Sequence, residues 1–243
     1  MNNHINTIES CFDLNKGIGM KVKNKFNSII ALKFRILNAI GIISIALLSS
    51  NLYANDLSYC LNAFLNGNYN RAFDYCLKSC NSSQLGGCTF LGRMYQKGLG
   101  VSPNIHKALT YYEKSCNQGE AVSCSNIGII HLNAEGVSKD YHKAKKYFEK
   151  SCSLGSGIGC NNLGGIYEEG LGVPKSGSKL IYYYSKACDL GEAYGCTQLA
   201  AQYVLGEIIG VDLDKAKILF KRGCELKEQV SCIYYRKLET GEY

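Results

Sequence analysis

The sequence of 243 residues has no tryptophan and only two prolines, and it lacks the motifs of several kinds of reactive site. None of its 13 cysteines belongs to a Cys-x-x-Cys motif, which excludes the usual dithiol redox site. None of its four histidines belongs to a His-x-His or His-Glu-x-x-His motif, so the common zinc-hydrolase pattern is missing as well. Charged residues make up only 19% of the chain, and this composition excludes a disordered polar chain.

The N-terminal region has the order of a secretory signal peptide. Basic residues crowd positions 21–35, an uncharged apolar run extends from Ile36 to Leu48, and Ala54 offers a small residue for cleavage. The apolar run is shorter than the roughly 20 residues that span a bilayer. We therefore expect residues 1–54 to form a leader containing the signal peptide, with Met20 as an alternative start. The competing interpretation is a membrane anchor that stays in the mature protein.

The charge and the cysteine content both fit an exported protein. Without residues 1–54 the chain keeps 21 basic and 18 acidic residues, so most of the net charge of +7 belongs to the leader. This balance gives no reason to expect nucleic-acid binding. A cysteine content this high is typical of oxidising compartments, and we expect a secreted or periplasmic protein.

The cysteines repeat with a period of 36 residues. One series occupies positions 88, 124, 160, 196 and 232, and a second occupies positions 80, 116, 152, 188 and 224. Two further motifs keep the same step: "FLGRMYQKGLGV" from Phe90 matches "NLGGIYEEGLGV" from Asn162, and "KALTYYEKSC" from Lys107 matches "KAKILFKRGC" from Lys215. Self-similarity at this period indicates a helical solenoid, because one unit cannot bury its own apolar face and must stack on a neighbour.

Each unit reads as two helices, A and B. Helix A of one unit places Leu163, Ile166 and Tyr167 on one face, and a glycine-rich loop separates it from helix B. Gly164 predicts that a partner backbone comes close to helix A. One aromatic residue recurs in each helix B and is expected in the core: Tyr112, Phe148, Tyr184 and Phe220.

These motifs resemble a known family. Leu-Gly-x-x-Tyr in helix A, the Gly-x-Gly-Val loop and Lys-Ala before an aromatic helix resemble the Sel1-like repeat, a relative of the tetratricopeptide repeat. Two positions that are commonly alanine in that repeat are cysteine here, which resembles the Helicobacter cysteine-rich protein family over residues 56–243. The resemblance implies an all-α fold, a right-handed α/α solenoid stapled by disulfides. About five helix pairs and a C-terminal capping helix would fill residues 55–243.

Counting separates two pairings of the cysteines. Pairs 28 residues apart would leave Cys80 and Cys232 alone, whereas pairs eight residues apart use all ten cysteines of the two series. Residues that flank a short turn between antiparallel helices also lie at similar heights. The two remaining cysteines would join the helices of the first unit. The predicted disulfides are Cys60–Cys76, Cys80–Cys88, Cys116–Cys124, Cys152–Cys160, Cys188–Cys196 and Cys224–Cys232.

The cysteine-rich family carries a penicillin-binding and β-lactamase label, so the resemblance implies β-lactam hydrolysis as an alternative function. Ser176–Lys179 matches Ser-x-x-Lys and Lys175–Gly177 matches Lys-Ser-Gly, while Ser-Cys-Asn occurs at 79–81 and 115–117. The first two matches overlap on Ser176 and lie in an inter-helix loop, which offers no oxyanion hole. The histidines, at His106, His131 and His142 after the leader, are scattered. We therefore assign no catalytic residue, metal site or cofactor.

A repeated polar position predicts a binding groove. In tetratricopeptide-like folds helix A lines the concave face, and the residue before Leu-Gly projects into it. These residues are Phe90, Asn126, Asn162 and Gln198, with Arg93 one helical turn after the first of them. A carboxamide both donates and accepts hydrogen bonds, which suits an extended peptide backbone. The alternative is a solvated polar stripe.

The sequence thus favours a secreted or periplasmic monomer that binds peptide or protein through the concave helix-A face. Candidate partners come from the cell wall or from a host, and a β-lactam would be the ligand under the alternative function. We expect no nucleic-acid partner and, once the signal is cleaved, no membrane contact. A scaffold whose partner binds the convex loops is a third option.

Overall fold

A computed structural model describes residues 46–82 and 86–242, with side chains from residue 56 onward. Nearly all of the described residues belong to one compact unit, residues 53–243. The predicted leader lies outside the described residues except for positions 46–54, whose backbone is helical. No helix of the described ranges is long and apolar enough to cross a membrane.

The described residues form helices joined by short loops and contain no strand. The helices are α1 (Ala46–Leu65), α2 (Tyr69–Asn81), α3 (Gly87–Lys97), α4 (Ile105–Asn117), α5 (Ala121–Asn133), α6 (Tyr141–Ser153), α7 (Gly157–Glu169), α8 (Gly177–Asp189), α9 (Ala193–Leu205), α10 (Leu213–Glu225) and α11 (Gln229–Thr240). From α2 onward each helix packs on the next one in the chain. The odd-numbered helices are the A helices and the even-numbered ones the B helices. The predicted all-α, disulfide-stapled repeat fold is confirmed.

Capping residues fix where the helices begin. The residue before each of the B helices α4, α6, α8 and α10 accepts a hydrogen bond from the backbone N–H three residues later, which satisfies one of the free donors of the first turn. Four such caps follow one another at the repeat period: Asn104, Asp140, Ser176 and Asp212. The A helices α3, α7 and α9 end at glycines with positive φ, and Ala134 takes the same left-handed conformation after α5.

Inside a unit, the aromatic residue of helix B packs on a glycine of helix A. A Cβ on Gly92 would lie 2.6 Å from the Tyr112 ring, and one on Gly128 would lie 2.5 Å from the Phe148 ring. Gly164 lies against Tyr184 in the same way, so the expectation of a close backbone at Gly164 was wrong. The core aromatics are buried as predicted: Tyr112, Phe148, Tyr184 and Phe220 are at most 2% exposed. The missing side chain of each glycine therefore leaves space for the aromatic ring of helix B, and not for its backbone.

Between units, helix B and the next helix A meet at a disulfide. The structure contains six disulfides, Cys60–Cys76, Cys80–Cys88, Cys116–Cys124, Cys152–Cys160, Cys188–Cys196 and Cys224–Cys232. The first joins α1 to α2, and the other five join each B helix to the A helix that follows. These five have Cα–Cα distances of 4.4–4.9 Å, the short end of the usual range. The five inter-unit corners are therefore very close helix contacts.

Small residues beside the disulfides make this approach possible. A Cβ on Gly159 would lie 2.6 Å from the Ser151 side chain, and one on Gly195 would lie 2.6 Å from the Ala187 side chain. At the last corner the glycine changes sides, with Gly223 against Ser231. In each of these three corners, at least one of the two residues that directly precede the bonded cysteines is therefore a glycine.

Buried hydroxyl groups bind one another at the same corners. Thr89 lies 2.8 Å from Ser115 and 2.7 Å from Ser123, counted between side-chain oxygens, so three successive helices share one hydrogen-bonded cluster. Ser125 and Ser151 make a similar pair at 2.6 Å. These contacts give each buried hydroxyl a partner, which removes the cost of burying it unpaired. The serines of both Ser-Cys-Asn matches, Ser79 and Ser115, are fully buried here and do not face solvent.

The ring-on-glycine contact can be tested with two neighbouring glycines. Gly164→Ala should lower the free energy of unfolding by about 1–3 kcal/mol, because the new methyl group overlaps the Tyr184 ring. Gly165→Ala is the matched control: its Cβ would meet only the Tyr184 hydroxyl at 3.6 Å. The control should gain about 0.5–1 kcal/mol from the better helix propensity of alanine. Urea unfolding of the oxidised proteins measures both, and equal stability of the two variants would contradict the packing described.

Candidate binding face

The A helices lie on the inner side of the stack. Helix α5 contacts α7, and α7 contacts α9, although a B helix separates each pair in the chain. No two B helices of the described ranges contact each other to the same extent. Helices that approach more closely line the shorter side of a curved stack. We call the exposed surface of α3, α5, α7, α9 and α11 the helix-A face.

The predicted amide positions form a row on this face. Asn126, Asn162 and Gln198 stand at the sixth position of α5, α7 and α9, and all three side chains are partly buried. Asn162 donates its Nδ2 to the Ile158 carbonyl at 2.8 Å, which leaves its oxygen available. Within residues 46–82 and 86–242, no side-chain hydrogen bond engages Asn126 or Gln198. We call these three residues the amide row.

Phe90 and Arg93 have a different environment. The Phe90 ring lies 5.0 Å from that of Phe64 in α1, between centroids, and belongs to the apolar cluster of the first unit. The Arg93 guanidinium lies over the same Phe64 ring at 5.6 Å. Phe90 therefore packs against α1 and does not extend the amide row, while Arg93 stays exposed with its charge held beside an aromatic ring.

A second row, of apolar residues, runs beside the amides. It stands four residues before the amide position, and therefore one helical turn away on the same helix face. Its members are Val122, Ile158, Tyr194 and Val230, between 42% and 49% exposed. We call them the apolar row. The sequence prediction missed it, although the 36-residue step of these four residues was a readable signal.

Hydrogen bonds at the far ends of the A helices fix their relative position. Tyr184 donates its hydroxyl to Glu168 at 2.5 Å, and Gln202 of the next A helix donates to the same carboxylate at 2.6 Å. Burial, together with the Glu168 hydrogen bond, raises the pKa of Tyr184 well above its usual value. In the second unit Tyr112 makes the corresponding bond to Gln96. The third unit lacks this bond, because Phe148 has no hydroxyl and Leu132 occupies the position equivalent to Glu168.

The Ser-x-x-Lys match has a structural explanation. Ser176 caps α8, and Lys179 lies over the Tyr167 ring at 4.6 Å. Equivalent lysines, Lys107 and Lys215, lie over Tyr95 and Tyr203 in units whose capping residues are not serine. The Ser-x-x-Lys match is therefore one copy of a repeated arrangement, in which a capping residue is followed three residues later by a lysine over a tyrosine ring. In this unit the capping residue is serine.

The three histidines of the described residues do not assemble into a site. His106 and His142 are exposed, and His131 takes the place of the tyrosine beneath the repeated lysine. Burial and the nearby Lys143 lower the pKa of His131, against the opposing influence of Asp140. No group of three or more metal-binding side chains occurs within the described residues.

Two members of the amide row meet at a cleft. Asn162 and Gln198 line a cavity of about 190 Å³ between α7 and α9, together with Gly165, Glu169 and Tyr184. Asn126 is not among its lining residues. The structure thus brings two of the five predicted binding residues to one cleft, leaves the third in the same row, and places Phe90 and Arg93 against α1.

Comparisons with known proteins agree with this geometry. The Sel1 repeat family matches residues 54–83, 86–120, 121–156, 157–192 and 193–228. A protective antigen of uropathogenic Escherichia coli with an SLR fold has a similar structure, with 25% identity and a TM-score of 0.67 over 79% of this chain and 42% of that one. This chain therefore spans less than half of that antigen. A Sel1 repeat protein from Oxalobacter formigenes has 23% identity and a TM-score of 0.63 over 70% of this chain and 67% of its own.

The cysteine pattern also has a solved relative. Cysteine rich protein B of Helicobacter pylori is 33% identical over 54% of this chain and 93% of its own length, with a TM-score of 0.44, so the likeness is carried by the sequence. A search of curated proteins finds no match. Five matched repeats cover most of the sequence, and the cysteine-rich relative is matched over nearly its whole length. The chain therefore belongs to the Sel1 repeat family and is related to its cysteine-rich Helicobacter members.

Proposed function

We propose that this protein is a secreted or periplasmic binding module whose helix-A face holds an extended segment of a partner peptide or protein. Sel1 repeats are generally protein-binding scaffolds, and the surface that fits this role here is the amide row. The observation that supports this proposal is that Asn126, Asn162 and Gln198 occupy the same position on successive A helices that contact one another. No catalytic arrangement accompanies them in the described residues.

The two rows complement an extended chain. A strand outside a sheet has free N–H and C=O groups along its edges, and a carboxamide can pair with either. The apolar row beside the amides can accept the side chains that point to that side. Because the helices that present the rows are held by disulfides and interlocked rings, little ordering of the protein would accompany binding, which favours affinity.

The disulfides support an oxidising location. Six disulfides join all twelve cysteines after position 55, and such bonds are rare in reducing compartments. These bonds support a location outside the cytoplasm. We propose export through the leader, a monomeric exported form, and partners from the cell wall or a host. Neither a cofactor nor a nucleic acid has a role in this proposal.

The amide row can be tested by peptide selection. Peptides selected from a random library on the wild-type protein should lose at least tenfold in affinity for the variant Asn126→Leu, Asn162→Leu, Gln198→Leu. Three lost hydrogen bonds at about 0.5–1.5 kcal/mol each account for a change of that size. The control is Asn70→Leu with Asn81→Leu, which removes exposed amides from a B helix. Equal loss in the control, or undiminished binding by the triple variant, would contradict the proposal.

A second test addresses the β-lactam alternative. Ser176→Ala should lower the free energy of unfolding by about 1 kcal/mol because it removes a helix cap, whereas Ser176→Asp should keep the cap as Asp140 and Asp212 do. Neither the wild type nor the variants should hydrolyse a chromogenic cephalosporin above the buffer rate. Turnover by the wild type that disappears in both variants would instead identify Ser176 as a nucleophile.

A further inference from the structure

The cleft between α7 and α9 has the size of a pocket for one side chain. Its volume of about 190 Å³ is below the roughly 300 Å³ at which small-molecule sites begin. Its position in the amide row means that a peptide lying across the helix-A face would pass over it. A side chain of that peptide could then enter the cleft while the backbone stays on the row.

Gly165 keeps the cleft open. The equivalent positions of α3, α5 and α9 hold Arg93, Ile129 and Ala201, so the helix itself accepts a side chain there. A Cβ on Gly165 would meet only the Tyr184 hydroxyl, at 3.6 Å. Gly165 has no positive φ and no close neighbour to explain it, unlike Gly164, which lies against the Tyr184 ring. Its effect on the surface is to leave space above Tyr184.

The cleft is lined by the apolar side chains of Leu132, Ile166 and Leu171, and hydrogen-bond acceptors stand among them. The Oδ1 of Asn161 is buried and has no hydrogen-bond partner among the described residues. Asn162 has used its Nδ2 on the Ile158 carbonyl, so its oxygen remains as an acceptor. The Glu169 carboxylate is exposed, and no cation in the described part of the chain pairs with it. Below them, Tyr184 links the cleft to a second carboxylate, Glu168.

We propose that this cleft is the specificity pocket of the helix-A face and takes a cationic side chain, lysine or arginine, of the bound peptide. Ammonium and guanidinium groups carry donors and no acceptors, which complements the acceptors of the cleft. Their hydrogen bonds to a carboxylate are also stronger than neutral ones. The inference rests on the proposed function, because it assigns one residue of the peptide that the face binds.

Peptides with a single changed side chain test the pocket. The probes are acetylated and amidated pentapeptides, with four alanines and a central arginine, lysine or citrulline, added to the full, oxidised and isotope-labelled chain. The arginine and lysine peptides should shift the NMR signals of the Gly165 amide and of the Asn161 and Asn162 side chains. The citrulline peptide, which keeps the shape of arginine without its charge, should bind at least tenfold more weakly.

Two variants localise the effect. Gly165→Ile fills the cleft with the residue that the preceding unit holds at Ile129, and Glu169→Gln removes the charge without changing the shape. Each should weaken the arginine peptide at least tenfold, whereas Asp74→Asn, an equal loss of charge on a B helix, should leave it unchanged. If the Gly165→Ile variant fails to fold, the affinity of the Glu169→Gln variant for the arginine peptide tests the pocket.

The outcomes separate the pocket from the binding face. Citrulline that binds as well as arginine, or full binding by Glu169→Gln, would overturn the pocket. Shifts at Asn126 and Gln198 in that case would leave the helix-A face as a peptide site. Failure of all the peptides to shift any A-helix signal would overturn the pocket, and the binding face would then be judged by the library selection and its triple variant.

Discussion

The structure depends on how closely each B helix approaches the next A helix. At the five inter-unit corners the disulfide-bonded cysteines have Cα atoms less than 5 Å apart, so the two backbones nearly touch. Only small residues fit beside such a contact, and glycine, serine and alanine fill these positions. The serine and threonine hydroxyls buried there then pair with one another across three helices. A corner of this kind is held by a covalent bond, by close packing and by hydrogen bonds at once.

A second contact alternates with the first along the chain. Within a unit, the ring of Tyr112, Phe148 or Tyr184 lies on a glycine, so helix A and helix B interlock without a disulfide. The last complete unit has Ala200 in place of the glycine, and its Phe220 shares a core cluster with Ala200 and also stacks on Tyr234 of α11. The alternation of corner and interlocked ring fixes each of the helices α3 to α8 on two sides. The amide and apolar rows are therefore presented by helices with little freedom to move apart.

The repeat period carries most of the information in this sequence. It predicted the helix pairs, the buried aromatics and the cysteine partners, because each depends on spacing within one unit.

The repeat period could not predict that Phe90 packs on Phe64, since that contact depends on how α1 lies against α3. It also assigned Gly164 to a backbone contact, although the neighbour is the Tyr184 ring. The cleft at Gly165 is lined by residues of α5, α7, α8 and α9 together, which spacing within one unit does not reveal. Residues that differ between units, such as Gly165 and Glu169, give the surface of this repeat protein features that a regular repeat would not have.

The most direct test of this account is to map the disulfides of the exported protein by mass spectrometry without reductant, after alkylation under denaturing conditions. The account predicts no alkylated cysteine in residues 55–243 and five crosslinks between cysteines eight residues apart, with Cys60 bound to Cys76. Free thiols in this region, or crosslinks between cysteines 28 residues apart, would contradict it, because the corners on which the stack depends would not exist.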